Sequence, residues 1–339
     1  MQSNVLQYIT KSCVQKDGTE TLYRLYGNSG ELVVLIPGFS CGMDMWNDII
    51  ENIGNDQKFS FLVIENRGFG SGRCLPYRWF SHGNSYSTTT MANDLWNVVS
   101  ELRNWRRVHL IGFSMGGMIA SKAASMYPEK VLSLTLLSTP QCGIHIMLPS
   151  WRTLKVIARV IPRCLVFRLC PLCQQKHCKE LTRHMRTFME LYLKYSEYYL
   201  LELMMKDTED NKASVVPRWC CMEQQQQQQG DDGQTHSLPT SISTAGQLRA
   251  IVCHRLTSEE TKKIRRASWP VLCISGKYDQ LVSARCCRSL ARQLSADYIT
   301  LPGAHFITEE CSKQLHQLIR LFLEKKLVLL DEKTPWYFV

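Results

Sequence analysis

The stretch "IGFSMGG", residues 111–117, sets a serine among glycines where the chain changes character. Before it runs "RVHL"; after it runs "MIASKAASMY", rich in small residues. A strand that turns at once into a helix brings two backbones close together, and glycine leaves room for that approach. Gly112, Gly116 and Gly117 meet the need, so Ser114 is placed on a tight, strained turn as a candidate nucleophile. Gly-x-Ser-x-Gly by itself also describes a glycine turn without chemistry. The strand–turn–helix setting is what gives it weight.

Working outward, strands alternate with helices. "ELVVLIPGF", "FSFLVIENRGFGSG", "RVHLIGF" and "KVLSLTLLST" read as strands buried on both faces. "MDMWNDIIENI", "TTTMANDLWNVVSEL" (with a threonine cap before it) and "GGMIASKAASMY" read as the helices between them. "LQYITKSCV" and "ETLYRLYG", joined by Asp17-Gly18, predict a hairpin at the start. The expected fold class is therefore α/β: a mostly parallel central sheet with helices on both faces. After Pro140 the pattern breaks. Residues 141–206 look helical, and 207–241 are polar, with glutamines at 224–229, a composition expected to be disordered. The alternation resumes with "AGQLRAIVCHRL", "WPVLCIS", "ARCCRSLARQL", "ADYITL" and "CSKQLHQLIRLFLEKKL". The expected organisation is a core in two parts, 1–140 and 246–339, interrupted by an inserted helical lid, 141–245.

The net charge of +10 is concentrated in residues 151–188. That segment reads as a solvated face or as a basic amphipathic surface for anionic lipid or an acidic substrate; no nucleic-acid-binding pattern accompanies it. No apolar run approaches the ~20 residues that span a bilayer, and the N-terminus lacks the pattern of a secretory signal. Fifteen scattered cysteines without such a signal point to reduced thiols in the cytoplasm. Cys164, Cys170, Cys173, Cys178, His177 and His184 lie close together in sequence, but a single C-x2-C pair in apolar, helical surroundings reads as packing thiols rather than a zinc site, so no metal is expected.

Two residues further along complete a chemical set with Ser114. Asp279 ends "LCISGKYD" and His305 lies in "LPGAHF", each just past a strand. In a parallel α/β sheet, the loops beyond the strands' carboxyl ends converge on one edge. His305 would take the Ser114 proton, and Asp279 would fix the imidazole tautomer and stabilise the imidazolium. Asp44 and Asp297 are poorer candidates for the acid, since neither follows a buried strand. His82, His109, His145, His254 and His316 read as surface or packing residues, and Arg67 as an orienting or ion-pairing one. Glu309 and Glu310 read as support for the dipole of the last helix.

Together "LIPGFS", "ENRGFGSG", "IGFSMGG", "GKYDQLV" and "LPGAHF", in that order, resemble the α/β-hydrolase superfamily, in its lidded serine-hydrolase (esterase- and lipase-like) branch. The resemblance covers most of residues 20–140 and 245–325. It implies the roles of nucleophile, acid and base for Ser114, Asp279 and His305, and an oxyanion hole from the backbone N–H groups of Phe39 and Met115. It implies no cofactor. Two features depart from or vary the pattern: Pro37-Gly38 stands where the family usually has His-Gly, and Phe113 precedes the serine. Branches with an aspartate nucleophile are disfavoured by Ser114. The implied activity is cleavage of a carboxylic ester, a lipid ester or a thioester through an acyl-enzyme, with "FMELYLKYSEYYLLELMM" as a candidate acyl-pocket lining. Peripheral membrane contact through the basic insertion is an accompanying expectation. Competing expectations are a non-catalytic binding module on the same fold, and a triad enzyme of other acyl or carbon–carbon chemistry.

Overall fold

A computed structural model of the chain describes residues 7–54, 58–69, 86–143 and 241–327. Of the expected lid, residues 144–240 lie outside the described residues, as do the basic stretch, the glutamine run, the Cys/His group, His82 and His145.

Eight strands form one sheet: β1 Tyr8–Val14, β2 Glu20–Tyr26, β3 Glu31–Ile36, β4 Phe59–Ile64, β5 Val108–Phe113, β6 Val131–Leu137, β7 Val271–Gly276 and β8 Asp297–Leu301. Their order is β1-β2-β4-β3-β5-β6-β7-β8. The first two pairings are antiparallel and the others parallel. Gly18, at φ +82°, turns the β1–β2 hairpin.

Every position of β4, β5 and β7 is buried, as runs of apolar residues covered on both faces require. Alternation divides them between two cores. Leu32, Val34, Ile36, Val108 and Leu110 face helices α2 Thr88–Glu101, α3 Met115–Met126, α4 Ser241–Val252, α5 Ser258–Arg266 and α6 Ala284–Leu294. Val33, Leu35, Ile111 and Phe113 face α1 Asn47–Ile53, α7 Ile307–Glu310 and α8 Ser312–Leu323. Helices therefore cover both faces of a mostly parallel sheet, the expected fold class.

Two local readings change. The cap of α2 is Ser87, whose Oγ accepts from the Thr90 N–H at 3.0 Å, not a threonine. Helix α5 was not anticipated. Its sequence "SEETKKIRR" buries only Thr261 and Ile264, so it carries no apolar stripe; a capping box between Thr257 and Glu260 starts it.

After β3 the chain moves to β4 on one side of the sheet, and it later returns to form β5 on the other side. The order thus reverses at β3, and the carboxyl ends of β3 and β5 flank the crevice that such a reversal opens. Near the same edge an antiparallel bridge between Cys142 and Arg255, with Gly143 N–H donating to the His254 carbonyl at 3.0 Å, ties the end of the first core segment to the start of the last.

Candidate active site

Ser114 follows β5 directly and precedes α3, with φ +52° and ψ −112°. A non-glycine residue adopts this conformation only when its surroundings impose it. Here they do. A methyl group on Gly112 would lie 2.3 Å from the Gly116 carbonyl oxygen, and one on Gly116 would lie 2.0 Å from that of Ile36. Strand and helix meet backbone to backbone, so the residue between them must turn sharply. The Ser114 N–H is bound to the Leu137 carbonyl at 2.8 Å, and its own carbonyl accepts from Gly117 and Met118 at 3.0 and 3.2 Å. Its hydroxyl makes no cap hydrogen bond to α3.

The structure brings Ser114, Asp279 and His305 together. His305 Nε2 lies 3.0 Å from Ser114 Oγ, and Nδ1 lies 2.7 Å from Asp279 Oδ2. A carboxylate only accepts, so Nδ1 carries the hydrogen and Nε2 is free to take the serine proton. The other Asp279 oxygen, Oδ1, accepts from the Leu281 and Val282 N–H groups at 2.8 Å each, which fixes the carboxylate plane. All three side chains are buried. The loops that carry them are tied together: Lys277 N–H donates to Leu301 and Tyr278 N–H to Gly303, across the ends of β7 and β8. The His305 ring is flanked by Phe113 and Phe306, with centroids 5.1 and 5.9 Å away.

The Phe39 and Met115 backbones stand at the ends of β3 and β5. Neither N–H is engaged by a hydrogen bond to another described backbone group. A methyl on Gly38 would lie 2.8 Å from the Phe113 ring, so the loop after β3 rests against the residue preceding Ser114.

The alternatives fall elsewhere. Asp44 pairs with Arg24, and Asp297 opens β8. His109 is buried between Ser133 Oγ at 2.7 Å and Glu31 at 3.1 Å. His254 is buried against Thr88 Oγ1 at 2.9 Å; burial, reinforced by Lys122, pushes its imidazole down to about 3. His316 lies on α8 beside Asp48 at 3.2 Å. Arg67 forms ion pairs with Asp17 and Asp94. Glu309 and Glu310 belong to the short α7, and the first turn of α8 holds no acidic residue, contrary to the expected dipole support; the Glu310 carboxylate instead accepts from the Ala304 N–H at 3.0 Å, next to His305. Among the described residues no three His, Cys, Asp or Glu side chains are grouped to hold a metal ion.

Three supporting residues escaped the sequence reading. Ser138, at φ +46° after β6, donates its hydroxyl to the His305 carbonyl at 3.0 Å. Asn66 Nδ2 donates to the Pro37 carbonyl at 2.7 Å. Gln247, on α4, accepts from the Ser40 N–H at 3.0 Å and donates to the Arg67 carbonyl at 2.8 Å. Their one sequence signal is position: Asn66 and Ser138 follow buried parallel strands, on the edge where sites are built.

The family model described as "alpha/beta hydrolase fold" matches residues 31–310. Among curated proteins the chain is similar to a fluoroacetate dehalogenase of Burkholderia sp (31% identical over 120 residues, covering 35% of this chain and 38% of that one). It is also similar to a pimeloyl-[acyl-carrier protein] methyl ester esterase of Wigglesworthia glossinidia brevipalpis (27% identical over 120 residues, 35% and 40%). The matches thus span about two fifths of the length of these relatives. Among solved structures, a hydrolase from Pseudomonas aeruginosa PA01 aligns with a TM-score of 0.63 at 20% identity, over 93% of this chain and 98% of that one. The enol-lactonase from Burkholderia xenovorans LB400 aligns with a TM-score of 0.63 at 17% identity, over 93% and 100%. Identities this low speak for the fold alone.

Proposed function

The chain belongs to the alpha/beta hydrolase fold family, and we propose that it is a serine hydrolase cleaving a carboxylic ester, or a thioester, through an acyl-enzyme. The observation that carries this reading is the continuous relay from Asp279 through His305 to the hydroxyl of a strained Ser114. The pimeloyl methyl ester esterases among the relatives fit it, and a serine at 114 fits an acyl-enzyme better than a carboxylate nucleophile would.

In the proposed reaction His305 Nε2 takes the Ser114 proton as Oγ bonds to the acyl carbon. The negative charge that develops on the carbonyl oxygen is met by the Phe39 and Met115 N–H groups, each such donor contributing about 3–4 kcal/mol. Collapse breaks the bond to the leaving alkoxide or thiolate, which receives the proton from His305. Water, deprotonated in turn by His305, attacks the acyl-enzyme and releases the acid, restoring Ser114.

The reading extends to the segment between Gly143 and α4. A lid over 141–245 would set the size of the acyl group, with lipid esters the first substrates to test; its basic residues would allow peripheral membrane contact. A cytoplasmic location is supported by the cysteines among the described residues, all free thiols. Among the described residues no helix is long and apolar enough to cross a membrane.

The test is labelling with a fluorophosphonate, followed by a panel of chain-length esters, a monoacylglycerol, a lysophospholipid and an acyl-thioester. The wild-type chain is expected to label at Ser114, and Ser114→Ala to fold, resist labelling and lose about a million-fold in turnover. A folded wild-type chain that does not label, or ester turnover retained in Ser114→Ala, overturns the reading.

A further inference from the structure

The loop after β3 carries the peptide unit that includes the Phe39 N–H, and its neighbours are tethered one by one. The unit before it is held through the Pro37 carbonyl by Asn66. The unit itself is held through the Gly38 carbonyl, which accepts from the Cys41 N–H at 3.3 Å. In a trans peptide the N–H points opposite to the carbonyl, so this bond also aims the Phe39 N–H. The unit after it is held through the Ser40 N–H by Gln247 Oε1. Ser40 needs that hold, because its φ of +55° is a conformation that serine rarely keeps unaided.

Gln247 reaches the loop from far along the chain, on α4, the helix that follows the insertion. It is buried, 1% exposed, and both ends of its amide are engaged: Ser40 on one side and the Arg67 carbonyl on the other. The helix behind it has little freedom to move. A methyl on Gly246 would lie 2.6 Å from the Tyr86 ring, and one on Gly143 would lie 1.7 Å from the Ile251 carbonyl oxygen. Arg67 is anchored in turn, donating to Asp94 Oδ1 at 2.8 Å and to Asp17 at 2.5 Å.

We infer that Gln247 is a positioning residue of the oxyanion hole: its amide locks the Ser40 peptide against the anchored Arg67 backbone and so holds the Phe39 N–H in place for the acyl oxygen. The inference rests on the serine-hydrolase reading above. It adds to that reading a residue outside every motif of the site, on the helix by which the chain re-enters the core.

The test compares full-length wild type with Gln247→Leu, of similar volume but unable to hydrogen-bond, and Gln247→Glu, which keeps an acceptor for the Ser40 N–H. Turnover of p-nitrophenyl butyrate and hydrogen exchange of the amides of residues 37–42 are measured, alongside thermal unfolding. For Gln247→Leu the expected result is a fall in kcat of about a hundredfold at nearly unchanged KM, the scale of a misaligned or lost donor, with faster exchange confined to that segment. Gln247→Glu is expected to recover at least tenfold of the loss. If the leucine variant does not fold, Gln247→Glu is expected to keep kcat within tenfold of wild type with exchange of residues 37–42 unchanged, and a larger fall in kcat with unchanged exchange overturns the inference. A wild-type chain that labels at Ser114 and turns over the ester, while Gln247→Leu stays within threefold in kcat, overturns this inference and leaves the parent reading standing. Equal losses in both folded variants overturn it too. A wild-type chain that neither labels nor turns over overturns both.

Discussion

The two turns that build the site solve one problem by different means. Each ends a parallel strand next to the point where strand order reverses, and each holds a serine at positive φ: Ser114 at +52° after β5 and Ser40 at +55° after β3. At Ser114 the constraint is steric and local. Glycines two residues before and after it let α3 touch the ends of β3 and β5, and no other side chain fits. At Ser40 the constraint is polar and remote, supplied by Asn66 and Gln247 from other elements. A steric turn can be written in a few adjacent letters, whereas a tethered one needs residues scattered along the chain.

That contrast is open to direct attack. The largest effect is expected at the elbow. Gly116→Ala places a methyl against the Ile36 and Pro37 carbonyl oxygens, at 2.0 and 2.5 Å, where only backbone could yield. We expect a loss of about 3 kcal/mol in stability, the upper range for overpacking, and ester turnover below about one per cent as the elbow is displaced. Wild-type melting and turnover would show that the turn is not sterically enforced. A smaller effect is expected from Asn66→Leu, which releases the Pro37 carbonyl but adds no bulk to the elbow. We expect kcat to fall about ten- to a hundredfold with KM little changed; a parallel rise in KM with intact kcat would mean that Asn66 shapes substrate binding instead.

The smallest effect separates the two regions by pH. Glycines have nothing to titrate, but the segment that supplies Asn66 and Arg67 begins with the buried Glu65. Burial, with Asp44 adding and Arg24 opposing, pushes its carboxyl up to about 7. The folded chain therefore keeps a proton that the unfolded chain releases near its ordinary value. This contribution to stability is full below about pH 4.5 and is lost as pH rises through 7. Glu65→Gln removes the dependence, so its melting temperature should exceed that of wild type by a few degrees at pH 8 and match it at pH 4. An identical difference at both pH values would mean that Glu65 does not titrate in this range.

The same contrast marks what the sequence could convey. Buried parallel strands are near-continuous apolar runs, so β3 to β7 could be read directly, and with them the edge that Asp279 follows; β8, the edge strand before His305, buries only Ile299 and Leu301. The elbow was equally legible, since its glycines and serine are adjacent. Helix α5 was not, because a helix that buries two side chains shows no apolar period, although its capping box is written plainly at Thr257 and Glu260. Ser138, Asn66 and Gln247 were illegible for a different reason. Each acts on a backbone group brought near only by folding, and no spacing rule announces a partner 167, 29 or 207 residues away.

The bridge between Cys142 and Arg255 has a bearing on how such a chain can diversify. Once exit and re-entry are pinned side by side, whatever is spliced between them begins and ends at the same doorway. Closing a longer excursion costs only about 0.6 kcal/mol per doubling, so the sheet hardly registers its length. The segment between them can thus be exchanged wholesale, while the hydrogen-bonded row of Asp279, His305 and Ser114 stays as it is.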